Sequence, residues 1–246
     1  MIRRVKQAEA AAFRDAAARW GGCVALRVIA ALDTWGLESP AAGFYWAGEG
    51  ALCLEGAQAM LCGVPADMDE LEAFLDAAGA ASFFSGQTML EHWLPLPRLV
   101  LRHPGLPAGA PPAPALPEGV TLNDAPDLWA LAHSGLLEGQ PEALYRTLCA
   151  RVNRGTGSVQ MLLAGGAPAA AAALTAQEPG GAYLGALATA PAFRRRGCAR
   201  TLVRALLARA APRPVWLICP PGLRGFYEAL GFRLQVPICE FVPGGR

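Results

Sequence analysis

The chain has 246 residues, enough for one large domain or two small ones. Lys plus Arg (21) and Asp plus Glu (20) nearly cancel to a formal net charge of +1, which argues against a general nucleic-acid binder and against a polybasic membrane-surface protein. Hydrophobic residues at 53% and charged residues at 17% exclude a disordered chain.

In chain order, the first segment reads as a helix. Val5, Ala8, Ala12, Phe13, Ala16 and Trp20 fall near one face, and Gly21-Gly22 ends it. Basic residues open the chain, but Arg14, Asp15 and Arg19 interrupt the apolar run that a signal peptide needs, so none is expected. Phe44–Trp46, Ala51–Leu54 and Ala57–Cys62 read as short strands separated by glycine. Asp67 is placed to cap a second helix, with Glu70 three residues on and Leu71, Phe74, Leu75 and Ala78 at helical spacing. Gly79 follows where a C-terminal cap belongs. Ala81–Phe84 and Arg98–Leu101 read as further strands. Residues 1–103 thus form an α/β unit without a Gly-rich phosphate loop. Six prolines between Pro104 and Glu118 forbid a helix or central strand there, so 104–118 is read as a polyproline-like linker.

Residues 119–246 form a second unit. Pro126–Ser134 and Pro141–Asn153 read as helices with an early proline. The uncharged run from Gly155 to Gln177 is broken by Gly165, Gly166 and Pro168, so it reads as two strands and a turn and not as a membrane span. Ala182–Ala188 is a third strand. A helix from Gly197 to Ala210 buries Cys198, Leu202, Val203, Leu206 and Leu207 and turns Arg200 and Arg204 to another face. Val215–Cys219 reads as a buried strand. Leu223, Phe226, Tyr227 and Leu230 mark a last helix, which Gly231 caps before a strand opening at Phe232–Val236.

The seven cysteines (23, 53, 62, 149, 198, 219, 239) are odd in number and show no Cys-x-x-Cys spacing, so reduced thiols in a cytoplasmic protein are expected and no disulfide framework or zinc site. His92, His103 and His133 make no metal-ligand cluster; no metal is expected.

The chemistry concentrates between the third strand of the second unit and the helix after it: Leu187-Ala188-Thr189-Ala190-Pro191-Ala192-Phe193-Arg194-Arg195-Arg196-Gly197-Cys198-Ala199. The first N–H groups of a helix lack intrahelical partners, and its dipole favours an anion there. Gly197 lets a pyrophosphate approach the backbone, Ala199 is small for the same reason, and three arginines add cationic charge. Such a turn suits a phosphorylated cofactor.

This stretch resembles the acetyl-CoA motif Arg/Gln-x-x-Gly-x-Gly/Ala of the GNAT N-acetyltransferase superfamily, with Arg194, Gly197 and Ala199 at its defined positions. Phe226-Tyr227-Glu228-Ala229-Leu230-Gly231-Phe232 resembles a second family signature, in the right order, with one helix and one strand between. The resemblance covers about 119–238. It implies an α/β fold with a mixed, mostly antiparallel splayed sheet flanked by helices. It implies that backbone groups at Leu187 and Thr189, beside Ala188, pair with the pantetheine arm of acetyl-CoA. It also implies that the amides of Arg195, Arg196, Gly197, Cys198 and Ala199 hold the pyrophosphate, with the Arg194–Arg196 side chains within reach of phosphates. Tyr227 would protonate the leaving thiolate as general acid, or serve as a core tyrosine.

The implied partners are acetyl-CoA and a primary amine of a small molecule or peptide, with no nucleic acid or membrane, in a monomer or homodimer. The alternative is a catalytically lapsed GNAT-like module that binds CoA. The third strand carries no acid for a general base; Glu178, in a turn, is a candidate, as is water. Residues 1–103 resemble the degenerate N-terminal GNAT-like half of some two-unit acetyltransferases by order of elements alone.

Overall fold

The structure, a computed structural model, describes residues 1–85, 90–107 and 116–244. The middle of the expected linker, 108–115, lies outside the described residues. Strand β1 (Ile2–Arg4) and a single 3-10 turn (Gln7–Glu9) lead into α1 (Ala10–Trp20) and α2 (Gly22–Trp35). Strands β2 (Ala42–Ala47), β3 (Gly50–Glu55) and β4 (Gln58–Cys62) follow, then α3 (Met68–Ala77), β5 (Ser82–Ser85) and β6 (Trp93–His103). Next come β7 (Thr121–Asn123), α4 (Leu128–His133), α5 (Pro141–Asn153), β8 (Ser158–Ala164), β9 (Ala167–Glu178) and β10 (Gly181–Thr189). The chain ends with α6 (Cys198–Ala210), β11 (Val215–Cys219), the short α7 (Arg224–Glu228) and β12 (Arg233–Pro243).

One departure from the sequence reading has a physical cause. Gly21-Gly22 does end α1, but α2 starts at once, a helix the spacing did not reveal. Its Cys23–Leu26, Val28 and Ala30–Leu32 are all buried, so an apolar surface on nearly every side erases the 3.6-residue period. The strand expected to open at Phe232–Val236 runs from Arg233 to Pro243.

Contacts divide the chain into two units. The first comprises Met1–Leu101, Ile218–Gly225 and Leu234–Arg246; the second comprises Arg102–Leu217 and Phe226–Arg233. Each is built on a mostly antiparallel sheet flanked by helices. In the first, strand order is β1-β2-β3-β4-β5-β12-β6. β12, which the sequence reading grouped with residues 119–246, pairs here antiparallel with β5 through Glu240↔Phe84 and Phe241↔Phe83. An Arg98–Glu240 ion pair at 2.7 Å adds a cross-strand tie. The core is Leu52, Leu61, Leu71, Leu75, Phe83 and Phe241, all essentially without solvent contact.

In the second unit the order is β11-β10-β9-β8-β7. Its centre is β9, where Ala169 through Ala173 are fully buried. Alanine is a poor strand former, but its small side chain lets helices close on both faces. Ala171 and Ala173 meet the α4–α5 cluster of Leu131, Leu137 and Leu148. Strand alternation sends Ala170, Ala172 and Leu174 to the other face, where α6 packs. α6 buries Leu202, Val203, Leu206 and Leu207 there, each worth roughly 1.5–3 kcal/mol.

Candidate functional site

The site begins with how β10 loses a neighbour. β10 pairs with β9 along its whole length, from Gly181↔Glu178 to Thr189↔Ala170. With parallel β11 it pairs only at Ala182↔Val215 and Tyr183↔Trp216. From Leu184 onward one edge of β10 has no strand partner among the described residues. Accessibility changes at the same point: Gly181–Leu184 are buried, while Ala186, Leu187, Ala188 and Thr189 are half-buried.

Gly185 marks the bend. The register skips it and Thr175 opposite, a bulge on both strands. A Cβ on Gly185 would lie 2.9 Å from Thr175 Cβ and Cγ2, so only glycine fits this approach.

The freed edge runs into the motif turn. Ala190 still donates to Ala169 O (2.9 Å), then a 3-10 turn over Pro191–Phe193 reverses the chain. Arg195 has φ 62°, and Gly197 caps α6 at φ 85° with no side-chain capping bond. Among the described residues Arg195 is the only non-glycine with positive φ, a conformation costing about 1–3 kcal/mol that recurs at functional turns. The first amide to return into α6 is Thr201, onto Gly197 O at 3.0 Å, so those of Cys198, Ala199 and Arg200 precede the intrahelical ladder. A Cβ on Gly197 would meet nothing within 4 Å, so the approach to these amides is open. Cys198 is buried beneath the first turn and anchors it.

The three arginines are all exposed but not alike. Arg194 Nε donates to Thr189 O at 3.3 Å, which ties the turn to the end of β10. Arg196 stacks on Phe193, 5.4 Å from guanidinium carbon to ring centroid. Arg195 makes no hydrogen bond or ion pair with the described residues. The equivalent strand-to-helix turn of the first unit, between β4 and α3, is chemically opposite. Asp67 accepts from Glu70 N–H at 2.9 Å, and Glu70 Oε1 accepts from Ile2 N–H at 2.7 Å. The Asp67 carboxylate occupies the helix N-terminus where an anion would go, and Glu70 is engaged by the start of the chain.

Leu187, Ala188, Thr189, Arg194, Arg195, Arg196, Gly197, Cys198 and Ala199 therefore lie along one strand, turn and helix start. Tyr227 sits on α7, buried, with Phe226 at 4.9 Å and Phe232 at 5.6 Å in edge-on contact. Glu178 is placed at the opposite end of the ladder, paired with Gly181, eight residues from Thr189 or roughly 26 Å of strand. Among the described residues no group of three His, Cys, Asp or Glu is arranged to hold a metal. No helix among them is long and apolar enough to cross a membrane.

The sequence reading considered His103 only as a metal ligand. Its ring is buried against Phe232 at 5.4 Å, and Nδ1 accepts from Gly105 N–H at 3.1 Å. Gly231 supplies room, since a Cβ there would lie 3.1 Å from Nε2. Burial lowers the His103 pKa below its usual 6.5. The unfolded chain then binds a proton first as pH falls, so this stability is complete well above pH 6.5 and declines below it. The melting temperature is expected to fall between about pH 7 and 5.5, and the fall to be smaller in His103→Asn. Equal slopes in pH-resolved thermal melts would remove His103 from the account.

Residues 125–232 match the model of the Acetyltransferase (GNAT) family. No curated protein matches the chain. Among solved structures it is similar to a tandem GNAT protein from the clavulanic acid biosynthesis pathway, at 16% identity and TM-score 0.65, covering 100% of this chain and 99% of that one. It is also similar to a GCN5-related N-acetyltransferase from Sphaerobacter thermophilus (17% identity, TM-score 0.62, 100% and 96% covered). A GCN5-related N-acetyltransferase-like protein from Streptococcus suis is a third (17%, 0.64, 97% and 100%). Residues 125–232 thus belong to the acetyltransferase (GNAT) family, in a chain whose full length shares the fold of tandem GNAT proteins.

Proposed function

We propose that this chain is a cytoplasmic N-acetyltransferase that moves the acetyl group of acetyl-CoA onto a primary amine of a small molecule or peptide. The observation that carries it is the meeting, at one end of β10, of a strand edge without a partner and a helix N-terminus with open amides. The pantetheine arm pairs along Leu187–Thr189. The pyrophosphate rests on the amides of Arg195–Ala199, and Arg194, Arg195 and Arg196 supply counter-charge. Among the described residues only the second unit offers this chemistry, so one acetyl-CoA per chain is the expectation.

In direct transfer the ammonium first gives one proton to solvent. The amine lone pair then attacks the acetyl carbonyl carbon. A C–N bond forms, the C–S bond breaks, and nitrogen loses a second proton while the thiolate gains one. Backbone amides beside the divergent strand stabilise the oxyanion. Tyr227 is the proposed proton donor to sulfur; its reference pKa of about 10 lies within two units of a thiol. A second reading, a lapsed module that binds CoA without turnover, is favoured by one feature: Gly181–Thr189 holds no carboxylate to act as base.

Titration calorimetry with acetyl-CoA tests the binding step. Heat at one site per chain is expected, with a stabilisation of about 2.7 kcal/mol when ligand is 100-fold over Kd. No heat and no thermal shift rejects both readings. Binding without product across a broad amine panel selects the lapsed module.

A further inference from the structure

The second unit holds a cavity of about 590 Å³ at the end of its sheet opposite the motif turn. Gln177 on its wall pairs with Ala182, seven residues or roughly 23 Å of strand from Thr189. The other walls come from the segment between β7 and α4, the loop into β8, and the far end of α6. None of the motif residues from Leu187 to Ala199 lines it. Its volume is that of a small-molecule site.

Opposite charges line this cavity without meeting. Asp124 stands on one wall, Arg209 and Arg213 on another, and among the described residues no ion pair joins them. Asp124 Oδ1 accepts from the amide of buried Gln160, which fixes the carboxylate and leaves its second oxygen available. Arg213 donates from Nε to Ala210 O at 3.2 Å, from Nη2 to Gln177 Oε1 at 3.3 Å and from Nη1 to Glu178 O at 3.4 Å. A guanidinium carries five N–H groups, so two remain. Arg209 is exposed and makes no hydrogen bond or ion pair with the described residues. Ser158 supplies an independent sign of a ligand. It pairs opposite Leu174, on the sheet face that α6 covers, and also lines the cavity. The residue is only 5% exposed, yet its Oγ has no hydrogen-bond partner among the described residues. Buried hydroxyls are almost always bonded, because leaving one unpaired is costly. Leu128, Val152 and Val159 make the remaining wall apolar.

We propose that this cavity is a second ligand site, and that it binds an α-amino acid with a large apolar side chain. The ligand's carboxylate takes the arginine N–H groups and the Ser158 hydroxyl, and its ammonium takes Asp124. Its side chain lies on Leu128, Val152 and Val159. A simple anion would meet the Asp124 carboxylate and a simple amine would meet two guanidinium groups, so each is opposed where the zwitterion is held. The site stands apart from the acetyl-CoA reading, because no residue of the motif takes part in it.

The experiment titrates the full chain by calorimetry with L-phenylalanine, 2-phenylethylamine and 3-phenylpropanoate. The three share one apolar body and carry both charges, only the positive, and only the negative. L-phenylalanine is expected to bind at least about tenfold more tightly than either of the others. Asp124→Asn and Arg209→Gln are each expected to weaken it roughly five- to fiftyfold, with acetyl-CoA affinity within about twofold of the parent. Both residues are exposed, and unchanged thermal melts would verify the fold. Ser158→Ala is expected to weaken L-phenylalanine about three- to tenfold while the melt of the unliganded chain holds or rises, since the variant removes an unpaired buried hydroxyl. A serine with a purely structural role would do the reverse, lowering the melt and leaving affinity unmoved, and that result overturns the proposal. So does equal affinity for the three compounds, or unmoved affinity in both charge variants. Absence of saturable binding by L-phenylalanine, L-leucine and L-tryptophan up to about 10 mM overturns it as well. Failure to bind acetyl-CoA is a separate result that touches only the acetyltransferase reading.

Discussion

A chain carrying both Arg196→Glu and Gly197→Glu is expected to bind acetyl-CoA at least about 100-fold more weakly than the parent, roughly 3 kcal/mol. Gly197 is exposed and has open space where a Cβ would go, so a side chain added there projects into the approach to the amides. A carboxylate in that space competes for the helix N-terminus that the pyrophosphate needs, as Asp67 does at the head of α3. The second change replaces a guanidinium stacked on Phe193 with a like charge to the ligand. Charge-assisted hydrogen bonds contribute about 1.5–3 kcal/mol each, so losing two or more gives the stated size. Glutamate at φ 85° carries some strain, but it falls at a surface cap, and melting should shift by a few degrees only. Direct titration reads the outcome. Unchanged affinity in a folded variant would show that the phosphates bind elsewhere.

How much of this was legible before any coordinates depends on what kind of signal each element leaves. α5 begins and ends at Pro141 and Asn153 as expected, because an early proline and an amphipathic period are both local. β11 matched for the same reason: Pro214 before it and Pro220 after it bracket an apolar run. α2 left no period because it is buried nearly all round. The place of β12 beside β5 is set by pairing residues 154 to 158 positions apart, which no window reads. In the site, the motif residues are contiguous and were found together. Gly185 was not singled out, because its role depends on Thr175 in the neighbouring strand.

Tyr227→Phe is expected to lower kcat roughly 100-fold while acetyl-CoA affinity stays within about twofold, the lower end of what a general acid contributes. The lower end applies because the leaving thiolate, with a reference pKa near 8.5, is already tolerable without a proton. The substitution removes one oxygen and keeps the ring, so the edge-on contacts at 4.9 and 5.6 Å with Phe226 and Phe232 persist. The backbone turn persists too, since Leu230 and Phe232 amides donate to the Tyr227 carbonyl at 2.9 and 3.1 Å and not to its side chain. A stability loss of at most about 1 kcal/mol follows from the lost hydroxyl bonding. Chemistry and packing therefore separate cleanly in this one variant. A fall in kcat with an unchanged melt and unchanged titration places the phenol at the reacting sulfur. A normal kcat with a lowered melt makes Tyr227 a core residue, and protonation of the thiolate then falls to water.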